Sequence, residues 1–258
     1  MIKRYRSWDR REPHREWTAL TLLAEHAPGL APEPITADLD AAPPTVVMSR
    51  LPGVPLRGLR TGPAHVHAMA AALTRLHRAV PAASLPEPAA WTPAGAVAYA
   101  RGWAAKRPDL GEDPRAAKAF AAGAAWLAGP DADRLAVNPF PPVLGQIDGN
   151  HANFLWDDDT AQVRILDWED SGSSDRAFEL AEVAEHISRM DGHLDGDGFL
   201  ACLDLTVMEA ARVRDFRRLL AFNWFVMLSP DGPFATRNPL GTFERQAERV
   251  LALLGAGR

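Results

Sequence analysis

Cysteine is nearly missing from this chain. Cys202 is the only one in 258 residues, so no disulfide can form within it. Long apolar runs are also lacking. The most apolar stretch, LLAFNWFVML (residues 219–228), is too short to span a bilayer and carries Asn223, so no membrane partner is expected. The opening MIKRYRSWDRRE has no apolar segment behind its basic residues, so it does not read as a secretory signal, and a cytoplasmic location is expected. No internal repeat is visible. A surplus of positive charge is absent as well. The net charge of −5 argues against a general nucleic-acid partner. Between Gln146 and Ala210 there are 16 Asp or Glu, three Arg and no Lys, whereas the first 20 residues are basic. Such an acidic face attracts cationic ligands or simply keeps the surface solvated, and for the charge alone the second reading is the simpler.

What is present suits a globular chain with a sizeable core: 47% hydrophobic and 24% charged residues, enough for one large domain or two small ones. EPHREWTALTLLAEHAPG has Pro13 at its start and Pro28-Gly29 at its end, and it predicts a helix with Trp17, Leu20, Leu23, Ala24 and Ala27 on its apolar stripe. Glu16 precedes Leu20 by four residues and Leu23 by seven. It therefore falls on or beside the buried face, a costly place for an unpaired carboxylate. Residues 45–48 predict a short buried strand, and GPAHVHAMAAALTRLHRAV a strong amphipathic helix. Further helices are expected near 94–105, 113–127, 175–189, 198–212, 215–227 and 239–254. The Ala- and Pro-rich stretches 79–93 and 129–142 are expected as loops.

NFLW and QVRIL flank the polar run DDDTA and predict a β-hairpin. Asn153 enters its first strand and Asp167 leaves its second, so both lie at the open end. Asp148, five residues before Asn153 across a loop containing Gly149, can fold back to the same opening. Oxygen ligands there suit a hard divalent cation such as Mg²⁺, with Asn153 and Asp167 as ligands and Asp148 left to accept a proton. That is the division of labour needed to move a phosphoryl group from a nucleotide to a hydroxyl. The plainer reading makes all three capping or turn residues.

GQIDGNHAN, the hairpin and LDWED together resemble the catalytic loop and metal-binding segment of the aminoglycoside phosphotransferases. That family lies within the protein-kinase-like superfamily, which also holds choline kinases. Its loop reads His-x-Asp-x-x-x-x-Asn and its second element is Asp followed by Trp or Phe. SDRAFELAEV resembles the family's Asp-Pro-x-x-Asp-Leu-Ala segment, with Glu179 at the second acidic position. The resemblance implies an α+β, bilobal, protein-kinase-like fold with a truncated N-lobe (1–51) and a mostly helical C-lobe (52–258). It implies ATP or GTP and Mg²⁺ as cofactors. MIKRY resembles the third N-lobe strand, which makes Lys3 the phosphate-contacting lysine and Glu16 its partner. VVMSRLPG resembles the interlobe hinge, where Ser49 and Leu51 would hydrogen-bond the base through their backbones, with Val47 and Met48 near it.

Two features depart from the family pattern. Gln146 stands where the family has His; it can donate and accept hydrogen bonds but carries no charge. Only Met1 and Ile2 precede Lys3, where the family has two strands and a glycine-containing loop, so either the chain starts downstream of its natural beginning or the nucleotide site is open on one side. The acceptor is expected between the catalytic loop and the C-terminal helices. There Glu182, Glu185, Asp191, Asp195 and Asp197 would receive amino groups of a hydroxylated small molecule, such as an aminoglycoside or another antibiotic. A non-catalytic, kinase-like binding protein is the alternative. A metal-dependent hydrolase lacks the His/Asp cluster for a second metal. Other residues have plain readings beside these. Lys3 can be an exposed terminal lysine, and Glu16 can pair with Arg11 or Arg15. His77 and Trp168 read as structural, and Cys202 as a small core residue. His151 reads as a substrate contact or a solvated loop residue, and 157–159 as a solvated turn.

Overall fold

A computed structural model describes residues 1–191 and 194–255. The chain begins with a three-stranded antiparallel sheet in the order β1 (Ile2–Arg4), β3 (Thr45–Met48), β2 (Pro34–Asp38). Along β3, Val46 and Met48 are buried and alternate with half-buried neighbours, the period-two signature of a strand with one face covered. Helix α1 (Glu12–His26) lies against β2 and β3, with Glu16, Leu20 and Leu23 buried at the expected spacing. Lys3 stands opposite Val46 in the register. Opposed residues of an antiparallel pair project to one side, so Lys3 shares the face that meets α1.

A second sheet, β4 (Val54–Pro55), β6 (Phe154–Asp157) and β7 (Gln162–Ile165), contains the expected hairpin, with Phe154 opposite Ile165 and Asp157 opposite Gln162. Gly53, which leads into β4, has φ +108°, and a Cβ there would sit 2.5 Å from the Trp156 carbonyl oxygen, so the approach of this crossing to β6 requires glycine. A third pairing, β5 (Val143–Gly145) with β8 (Gly172–Ser174), brackets the hairpin in sequence. The loop 146–153 thus runs from β5 to β6, and the loop 166–171 from β7 to β8. Because β5 pairs with β8 and β6 with β7, the two loops must face each other.

The rest is helical: α2 (Pro63–Ala79), α3 (Pro93–Lys106), α4 (Pro114–Leu127), α5 (Pro130–Leu135), α6 (Arg176–Glu185), α7 (Gly196–Ala201), α8 (Val207–Leu228) and α9 (Thr242–Gly255). Helix α5 interrupts a stretch expected as loop. Pro130 opens it, and Ala132 and Leu135 bury its inner side. The two helices expected over 198–212 and 215–227 are divided elsewhere. The break falls at 202–206, where Thr206 and Glu209 form a capping box, and α8 then runs unbroken for 22 residues with neither Gly nor Pro to stop it. The expected helix 175–189 stops at Glu185, and a 3₁₀ turn, Ile187–Asp191, follows. Among the described residues no helix is long and apolar enough to cross a membrane.

Candidate functional site

Gln146 fastens the two facing loops together. Its side-chain amide donates to the carbonyl oxygens of Leu166 (3.1 Å) and Asp167 (2.9 Å), and its Oε1 accepts from the backbone N–H of Asp148 (3.0 Å). Below it, the fully buried Glu179 accepts from the backbone N–H groups of Gln146 and Ile147 and from the Ser174 hydroxyl. Ile147 and Asp167 both hold positive φ, at 72° and 61°, which is uncommon for residues with a Cβ and concentrates backbone strain on both loops. Gly149 packs its Cα against α6, where a Cβ would stand 2.5 Å from the Glu182 carbonyl oxygen.

This scaffold brings the expected acids together. Asn153 donates its amide N–H to Asp148 Oδ2 at 2.8 Å, and Asp148 Oδ1 accepts from the backbone of Asn150 at 3.0 Å. The Leu166 N–H donates to the Asn153 carbonyl at 2.8 Å, which sets Asp167 one residue beyond that contact. Burial raises the Asp148 carboxyl above its ordinary range. The hydrogen bonds from Asn150 and Asn153 oppose the rise, and the charges of Asp167 and Glu169 add to it.

Lys3 and Glu16 meet as expected, and two further groups join them. The Lys3 Nζ lies 2.6 Å from Glu16, 2.6 Å from Asp167 and 2.9 Å from Glu169, and Tyr5 donates its hydroxyl to Glu16. Burial alone would lower the ammonium, but the Glu16 and Asp167 carboxylates outweigh it and hold Lys3 above its ordinary value. Arg11 and Arg15 are engaged elsewhere, with Glu87 and with the carbonyls of Pro88 and Ser171, so the surface pairing of Glu16 is set aside. Carboxylate oxygens of Glu16, Asp167 and Glu169 lie within 4.8 Å of one another. The Asn153 amide spends its N–H on Asp148 and keeps its carbonyl oxygen for another partner. An oxygen-only donor set of this kind fits a hard divalent cation.

Just after β3, the Ser49 N–H donates to the Glu33 carbonyl at 2.9 Å, so that N–H is already engaged. Met48 is buried, and both its backbone groups pair with Met1.

Asp148 borders a cavity of about 680 Å³. Of the acids expected to receive amino groups, Glu182 lines it. The expectation for Glu185 is not met: its carboxylate is fully buried among Arg217 (2.6 Å), Arg249 (2.6 Å) and Arg189 (3.7 Å). Asp191 pairs with Arg57 at 2.5 Å, Asp197 pairs with Arg217, and Asp195 caps α7. Two other expectations are corrected by burial. His151 is neither solvated nor at the cavity, because its Nε2 bonds the Val183 carbonyl inside the fold. Asp157 is buried and paired with Arg164 at 2.5 Å, so 157–159 is not a fully solvated turn. Trp168 is wholly buried, as a packing residue should be.

His186 escapes the sequence reading. It lines the cavity with Nε2 3.6 Å from Asp148 Oδ1, and its ring meets Trp224 edge to face. Its position just after a helical apolar stripe is the one available signal, and that signal is weak. Burial pushes it down to about 3.

A small sheet with one helix and a larger helical body hold a loop acid, an asparagine and a second acid against a lysine–glutamate pair. That arrangement defines a protein-kinase-like fold. The profile of the phosphotransferase enzyme family matches residues 1–222, and the chain belongs to that family. A search of curated proteins gave no match. Among solved structures, aminoglycoside phosphotransferase APH(4)-Ia is 15% identical, with TM-score 0.64 over 100% of this chain and 86% of that one. Choline kinase LicA from Streptococcus pneumoniae is 14% identical, with TM-score 0.62 over 99% and 85%. Aminoglycoside phosphotransferase APH(3'')-Id from Streptomyces rimosus, in complex with ADP and streptomycin, is 20% identical, with TM-score 0.54 over 86% of each chain. At these identities the likeness concerns the fold.

Proposed function

We propose that this chain transfers the terminal phosphoryl group of ATP or GTP to a hydroxyl of a small molecule seated beside Asp148. The observation that carries this is the convergence of Asp148, Asn153 and Asp167 on two facing loops, beside the Lys3–Glu16 pair and at the edge of a large cavity. The acceptor oxygen bonds to the terminal phosphorus as the bond from that phosphorus to the bridging oxygen breaks, and the nucleoside diphosphate leaves. The acceptor's proton passes to the Asp148 carboxylate, whose raised pKa suits a proton acceptor. Asn153 holds that carboxylate by its Oδ2. Lys3, fixed by Glu16, is set to meet the phosphates. In this reading the backbones of Ser49 and Leu51 would meet the base. Asn153 and Asp167 would hold Mg²⁺, which supplies neutralising charge to the phosphates when bound.

The test is incubation with Mg-ATP and a panel of hydroxylated small molecules, read as the mass gain of a phosphate ester. Transfer by wild type, reduced about 10²-fold or more in Asp148→Asn with nucleotide affinity retained, is expected. Nucleotide binding with no transfer to any acceptor would favour a binding role instead.

A further inference from the structure

The cavity beside Asp148 also bears on which acceptor it takes, an inference that rests on the phosphotransferase proposal. Two pairs of rings stand among its lining residues, beside aliphatic, polar and charged side chains. Trp91 and Tyr99 meet edge to face at 5.5 Å, and Trp224 and Phe234 lie 5.8 Å apart. Such surfaces favour apolar, ring-bearing partners. The charges around them are mostly spent on one another. Arg10 pairs with Asp170 at 2.9 Å, Arg57 pairs with Asp191 at 2.5 Å, and Arg237 sits 5.1 Å from the centre of the Phe234 ring. Asp148 is kept for the proton. Glu182 is the exception: it is buried, it lines the cavity, and its carboxyl makes no hydrogen bond or ion pair with any described residue. Asn223, on the same wall, donates to the Ala96 carbonyl and has a buried Oδ1 with no partner among the described residues. A polycation needs several unpaired carboxylates and finds one.

We propose that the acceptor is a largely apolar, ring-bearing alcohol with a single amino group, its rings resting on the tryptophans and its amine meeting Glu182. A buried carboxyl without a partner is unfavourable until it gains one, and an ammonium brings both the opposite charge and the donors. Until then, burial and the nearby Asp148 hold Glu182 well above the usual carboxylate range, and a bound cation would ionise it.

The experiment titrates the whole protein calorimetrically with three probes: propranolol, its glycol counterpart with hydroxyl in place of the amine, and streptomycin. Propranolol is expected to bind about tenfold tighter than the glycol and tighter than streptomycin. Glu182→Gln should erase the amine's advantage, and Trp224→Leu should weaken both naphthyl compounds alike. The proposal is overturned if streptomycin binds tightest, if amine and glycol bind equally to wild type, or if the amine's advantage survives in Glu182→Gln. Should Glu182→Gln fail to fold, the wild-type ranking and Trp224→Leu still decide. A parallel Mg-ATP assay separates the two claims. The expected ranking without phosphate transfer to any acceptor sinks the phosphotransferase proposal alone, and transfer with the opposite ranking sinks this one alone.

Discussion

The tautomer of His186 follows from its neighbours. The backbone N–H of Ser188 donates to Nδ1 at 3.1 Å, and the Ser188 hydroxyl, which accepts from the His151 N–H, lies 2.9 Å from the same nitrogen. With Nδ1 an acceptor, the proton of the neutral ring sits on Nε2 and faces Asp148 Oδ1. At 3.6 Å this is a polar contact longer than a hydrogen bond, and His186→Leu removes it, so kcat should fall only about twofold to fivefold with nucleotide KM unchanged. His186→Gln, which can offer an amide N–H in the same region, should keep most of the rate. Steady-state kinetics on both variants is the check, and equal loss in both would deny the donor role. At this scale the sequence was informative where spacing forced an answer. Asp148, Asn153 and Asp167 follow from the hairpin, and Glu16 from its place on an apolar stripe. Tyr5, Glu169 and His186 were hidden because their roles come from contacts between distant segments, such as Lys3 with the loop after β7, that no local pattern records.

Helix α6 owes its place to polar as well as apolar contacts. Glu185 gathers arginines from the 3₁₀ turn, α8 and α9, so one carboxylate ties three elements together. Glu185→Ala leaves those guanidinium groups without their shared partner, and a loss of about 3–5 kcal/mol in urea unfolding is expected. On α4, a Cβ at Gly123 would run into the Phe222 ring of α8. Gly123→Ala is therefore expected to destabilise by about 1–3 kcal/mol, against the usual helix preference for alanine, as read by thermal unfolding. Long elements were legible because periodicity accumulates over many turns: α1, α2, α3, α4 and the hairpin all stand near their expected bounds. Strands β5 and β8 have three residues each and exist only through their pairing, so no run of alternation announces them.

The whole molecule carries an acid sensitivity that one buried side chain exposes. Among the described residues His77 has no hydrogen-bond partner at either ring nitrogen, and burial pushes it down to about 3. Its unfolded value is about 6.5, so between those limits the unfolded chain binds the extra proton and stability falls as pH drops. The slope from this residue is about 1.4 kcal/mol per pH unit. Glu179 and Glu182, raised by burial, act in the opposite direction as pH falls, so the measurement must be a difference. Urea unfolding at pH 7 and pH 4.5 should show His77→Leu gaining on wild type at the lower pH. No gain would mean that His77 titrates normally. The fastening between the two loops obeys a different rule. A carboxamide neither takes up nor releases a proton near neutrality, so the clasp made by Gln146 is the same in mild acid and mild alkali. A histidine in that position would change its bonding partway through the working range. The acid limb of the rate profile should therefore carry no inflection from Gln146 itself, its shape being set by the raised carboxyls of Asp148, Glu179 and Glu182.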